Sequence, residues 1–129
     1  MPPESVEPGT PADWLRYAHS DLELAKSTPS PRVLLEGLCF HAQQAAEKAL
    51  KAVLLSLGVA ISRTHNIGAL LDLLPSDTEL PIEIDEATIL TDYAVLSRYP
   101  GTMEEVTDAE YQEALRLASA WLFGPKGFF

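Results

Sequence analysis

Apolar residues return every three or four positions along most of the chain, and no stretch shows the two-residue alternation of a strand. Thr10-Pro11-Ala12-Asp13 reads as a helix start. Thr10 can cap, Pro11 suits the first helical position, and Asp13 suits the positive end of the dipole. Leu15, Ala18, Leu22 and Ala25 follow on one face, and the first predicted helix ends near Ser27-Thr28-Pro29. Ser30-Pro31 repeats the start signal for a second helix running to about Leu57, with Gly58 as its stop. At about 100° per residue, with His41 at the origin, Leu38, Ala42, Ala45, Ala46, Ala49, Leu50, Ala52, Val53 and Leu57 fill an arc of about 20° to 180°. The alanines in that arc let a neighbouring helix approach closely, which makes this the central helix.

A short third helix follows Thr64-His65-Asn66, with Ile67, Leu70, Leu71 and Leu74 as its apolar side. Pro75 and Pro81 bracket a polar loop. A fourth helix is expected from Ile84 or Asp85, carrying Ile89, Leu90, Tyr93, Ala94 and Leu96. It ends by Tyr99, because Pro100 disfavours helix in the residue before it. Thr107-Asp108-Ala109-Glu110 is a capping box opening a fifth helix with Tyr111, Ala114, Leu115, Ala118 and Leu122, closed by Gly124-Pro125. The expected fold is all-α, an up-and-down bundle of about five helices. Residues 10–123 form its single domain, between a Pro- and Glu-rich disordered tail over 1–9 and a short tail over 124–129.

Composition adds a constraint on partners. The chain has 129 residues, and 19 acids against 9 bases give a net charge of −10. A protein that coats nucleic acid through its overall charge should be basic, so that role is disfavoured. At this length a chain buries roughly 68% of its unfolded surface, enough for a core of its own. From Asp72 to Glu113 there are twelve acids and one base, Arg98. Lys48, Lys51, Arg63 and Arg98 occupy the centre of the chain. The single cysteine, Cys39, excludes an intrachain disulfide and a Cys-based zinc site. His19, His41 and His65 lack metal-ligand spacing, so no metal and no cofactor are expected. With no apolar run of membrane-spanning length and no signal-peptide pattern, a soluble cytoplasmic protein is expected.

Three groups could carry chemistry. His41, Gln44, Lys48 and Lys51 lie within about 80° of arc on the second helix, a stripe of imidazole, amide and two ammonium groups. Its plain reading is the wet side of an amphipathic helix; its functional reading is a surface for an anion or a partner chain. Ser62-Arg63-Thr64-His65-Asn66 precedes the third helix, where free backbone N–H groups and Arg63 would suit a phosphate, or where Thr64 or Asn66 simply caps. Arg98-Tyr99-Pro100-Gly101 ends the fourth helix, where Arg98 complements the dipole and can hold Asp92, Glu104 or Glu105.

The run Phe40-His41-Ala42-Gln43-Gln44-Ala45-Ala46-Glu47-Lys48-Ala49-Leu50-Lys51-Ala52, followed by Arg63-Thr64-His65-Asn66-Ile67 and Leu70-Leu71, resembles the HEPN domain family (higher eukaryotes and prokaryotes nucleotide-binding). Asp13-Trp14-Leu15 and Arg98-Tyr99-Pro100 fit as well, and the likeness spans roughly residues 10 to 123. It implies a homodimer and, in many prokaryotic members, pairing with a minimal nucleotidyltransferase in a toxin–antitoxin arrangement. Many members are metal-independent ribonucleases that carry an Arg separated from a His by four to six residues. No arginine of this chain has that His. After Arg98 the positions hold Met103, Glu104 and Glu105, and carboxylates there would repel an RNA backbone.

The expected role is thus a HEPN-like binding module, with a nucleotide or polyphosphate on Lys48, Lys51, Arg63 and His65. One alternative is a divergent ribonuclease toxin using Arg98 and His65, with RNA as ligand. Another is a structural dimerisation partner with His41 and Gln44 at the interface.

Overall fold

The first helix, α1 (Pro11–Ala25), opens on reciprocal caps. The Asp13 amide donates to Thr10 Oγ1 and the Thr10 amide donates to Asp13 Oδ2, both at 3.2 Å, so two amides left over at the helix start find acceptors. Gly9, counted with the expected tail, has φ +121°, and a Cβ there would meet Trp14 Nε1 at 2.9 Å. Only glycine lets the chain pass this close to the indole without strain.

The molecule is described by a computed structural model over residues 9–28, 30–61, 63, 67–75 and 106–123. Three further helices follow α1: α2 (Leu35–Ser56), α3 (Ile67–Leu71) and α4 (Asp108–Phe123), the last being the fifth of the predicted helices. There is no strand among the described residues beyond an isolated bridge between Ser30 and Val33, so the fold is all-α. The predicted fourth helix and the loop between Pro75 and Pro81 lie outside the described residues, apart from Pro75 itself.

The start of α2 is a correction. Ser30-Pro31 does not open the helix; Leu35 does. Ser30 Oγ accepts from the amides of Arg32 and Val33 at 3.2 and 3.1 Å, and Ser30 and Val33 exchange both backbone bonds at 3.0 Å. The hydroxyl thus closes a tight turn instead of capping a helix. The other end follows expectation. Gly58 has φ +78°, its amide donates to the Leu55 carbonyl at 3.0 Å, and the Val59 amide donates to Leu54 at 2.9 Å. These two bonds form a Schellman stop.

The core lies around α2. Leu38, Ala42, Ala45, Ala46, Ala49, Leu50, Ala52 and Val53 of the predicted apolar arc are all buried, while Leu57, just past the helix end, is exposed. Ala18, Leu22 and Ala25 of α1 and Tyr111, Ala114, Leu117, Ala118 and Leu122 of α4 belong to the same cluster. Small side chains on α2 allow the two flanking helices to sit close. Two polar links fix α4 in place. The Tyr111 hydroxyl donates to the Ala25 carbonyl at 2.5 Å, and the Val106 amide donates to Glu36 Oε1 at 3.2 Å. The capping box at its start is present, with Thr107 and Glu110 exchanging bonds at 3.0 and 3.1 Å. No described helix is long and apolar enough to cross a membrane.

Candidate functional site

Because α2 is packed by neighbours on more than one side, its polar stripe is not the wet side that the helical wheel suggests. The stripe divides in two. His41 and Lys48 meet α1 along the seam between the helices. Asp21, a nearly buried carboxylate on α1, accepts from His41 Nδ1 at 3.1 Å through one oxygen and from Lys48 Nζ at 2.5 Å through the other. The imidazole keeps 37% of its side-chain surface exposed and the lysine 24%, against 11% for the carboxylate. A buried acid therefore holds an imidazole and an ammonium at the edge of solvent. Phe40 stands edge-on to the imidazole, with ring centres 5.7 Å apart.

Lys51, one turn further along, is turned inward. Lys51 and Glu47 are each 1% exposed, with Nζ 3.3 Å from Glu47 Oε2. Gln43 Nε2 donates to Glu47 Oε1 at 3.0 Å, and Gln44 Nε2 donates to Gln43 Oε1 at 2.8 Å. The Lys51 ammonium also lies 4.9 Å from the centre of the Trp14 ring, a cation–π distance. Glu47 and Lys51 stand four residues apart in the favourable order for a helical ion pair. The reading of Lys51 as a wet-face base is thereby corrected: its charge is spent inside the protein.

Among the other expected site residues, Arg63 is exposed. His65 and Arg98 lie outside the described residues, as do Asp92, Glu104 and Glu105. No group of three or more His, Cys, Asp or Glu that could hold a metal ion occurs among the described residues. Cys39 is fully buried, and burial, with Glu36 and Glu110 nearby, pushes its thiol up to about 12. At that value it is a packing group and not a nucleophile. Burial likewise raises the Tyr111 phenol.

Asp21 is the residue that sequence reasoning missed. A signal for it exists. It stands three residues after Ala18 and four before Ala25, at the margin of the buried stripe of α1, where an acid needs a partner.

Comparison with known proteins agrees with this architecture. The HEPN domain description matches residues 11–122. The chain is similar to TT1696 from Thermus thermophilus, at 33% identity and a TM-score of 0.75, over 92% of this chain and 98% of that one. It is also similar to ST0689, an archaeal HEPN homologue, at 32% identity and a TM-score of 0.68, over 90% of this chain and 94% of that one. No curated protein matches. With the family description running from the first turn of α1 to the last turn of α4, and two solved structures sharing both sequence and fold, the chain belongs to the HEPN domain family.

Proposed function

We propose that the protein is a HEPN-type binding module that works in the cytoplasm as the HEPN half of a pair with a minimal nucleotidyltransferase, in the toxin–antitoxin manner. We further propose that it takes the phosphate groups of a nucleotide or polyphosphate on Lys48, Arg63 and His65. Lys51 serves this reading as a buried brace for α2 and not as a contact. The observation that carries it is the Lys48 ammonium, held at the solvent edge by Asp21 in a chain whose net charge is −10. An ammonium in that position keeps N–H donors beyond the one given to Asp21, which a phosphate oxygen can accept.

Isothermal titration with ATP, GTP and a short RNA tests the site. Wild type should bind at least one of them, and the Lys48→Ala/Arg63→Ala variant should bind it at least tenfold more weakly. Absence of binding by wild type, or equal binding by the variant, overturns the site. Co-purification with the product of an adjacent nucleotidyltransferase gene tests the pairing.

A second reading, a homodimer with His41 and Gln44 at its interface, draws support from α1. Tyr17 and Leu24 are 52% and 47% exposed. With Asp21 they lie within about 60° of arc, on the side of α1 that borders His41. Exposed apolar side chains beside a half-buried polar seam are an interface composition. Light scattering on His41→Glu should then show a shift from dimer to monomer; an unchanged mass counts against this reading.

A further inference from the structure

We propose that Asp21, His41 and Lys48 form a proton-linked anion site, in which a phosphate-bearing ligand enters only as His41 takes up a proton; this rests on the anion-binding reading above. An ionised carboxylate can only accept, so the His41 Nδ1 that lies 3.1 Å from Asp21 Oδ1 must carry a hydrogen. In the neutral ring, Nε2 then holds the lone pair. With Nδ1 engaged by a carboxylate that is itself only 11% exposed, Nε2 is the ring nitrogen that Asp21 leaves for a ligand. Nε2 has no hydrogen-bond partner among the described residues. On the other oxygen of Asp21, Lys48 spends one of its three N–H donors.

The cluster therefore offers two ammonium donors and one imidazole nitrogen, and its charge decides what it accepts. Asp21 directly, and Lys48 through Asp21, are the charged groups gathered on His41. While His41 is neutral the three sum to zero and Nε2 presents a lone pair, which repels a phosphoryl oxygen. Protonation changes both facts at once: the cluster becomes +1, and Nε2–H becomes a charge-assisted donor beside Lys48. A polyphosphate can bridge the two donors only in that form. By linkage, a site that binds with uptake of one proton weakens by up to about tenfold for each unit that pH rises.

The test is isothermal titration of the full chain with ATP between about pH 7 and 8, in two buffers of different ionisation enthalpy. The buffer dependence of the heat counts protons taken up. Wild type should take up a fraction approaching one proton and lose affinity as pH rises. His41→Gln, which keeps a fixed N–H donor, should bind with little proton uptake beyond that of ATP itself and with a flat pH profile. Histidine-detected NMR of wild type, which needs no variant, should show one imidazole converted to imidazolium as ATP is added. ATP binding by wild type without proton uptake overturns the linkage and leaves the anion site standing. Equal uptake by wild type and His41→Gln overturns it as well. Absence of ATP binding at every pH overturns the anion site, and the linkage with it.

Discussion

Lys48 and Lys51 stand three residues apart on the same helix, yet they live in different solvents. The first is 24% exposed and shares a carboxylate with an imidazole at the α1–α2 seam; the second is 1% exposed, closed in with Glu47 and Trp14. The same side chain thus stands at the edge of solvent in one place and is an internal strut in the other. What separates them is the path of α1, which lays Asp21 beside one and the indole of Trp14 over the other. A helical wheel records the direction of a side chain from its own axis, and it carries no information about which neighbour arrives there.

The largest break in the comparison should come from Lys51. Removing one partner of a buried ion pair strands the other, at a cost of about 3–5 kcal/mol. Lys51→Ala should therefore lower the denaturant midpoint severely, and Lys51→Met combined with Glu47→Leu should recover most of the loss, because well-packed apolar groups replace buried pairs at little cost. Lys48→Ala should cost about 1 kcal/mol or less, since its partly exposed ammonium is solvated and Asp21 keeps His41. Equal losses for the two alanine variants in urea unfolding would erase the distinction.

The smallest effect belongs to the caps. The Thr10 backbone N–H and then its hydroxyl hold the Asp13 carboxyl below its ordinary value, and the Arg116 guanidinium does the same for Glu113. Both groups are depressed in the folded chain. Their contribution is therefore present above the ordinary carboxylate range and is lost as pH falls through the folded value. Asp13→Asn should lower the melting temperature slightly at neutral pH and leave it unchanged at the acid end, so that the acid limb is flatter, as followed by circular dichroism. A steeper acid limb in the variant would contradict the assignment.

Much of the fold is legible wherever local chemistry and tertiary packing agree. The Thr10–Asp13 and Thr107–Glu110 boxes, the Gly58 stop and the alanine-lined arc of α2 all read directly, because each is decided within one or two turns of helix. Ser30 shows the limit. The same Ser-Pro pair can cap a helix or close a turn, and the choice rests with where Leu35 must go to pack against the core, while Leu34 stays exposed. The site was legible by half. His41 and Lys48 stand out as polar groups on a central helix, but the element that joins them is an acid from another helix, and no spacing along α2 points to it. The burial of Lys51 was hidden for the same reason.

The bond between Tyr111 and the Ala25 carbonyl spans 86 positions. During synthesis at roughly 5–20 residues per second, the end of α1 waits some 4 to 17 s, about the time those positions take to be added, before its fastening exists. Once α2 is complete, its core face still lacks Ala114, Leu117 and Ala118 of α4, which come later in the chain. The last helix is thus a clasp on the first, and the nascent chain is most vulnerable to wrong association just before the clasp closes.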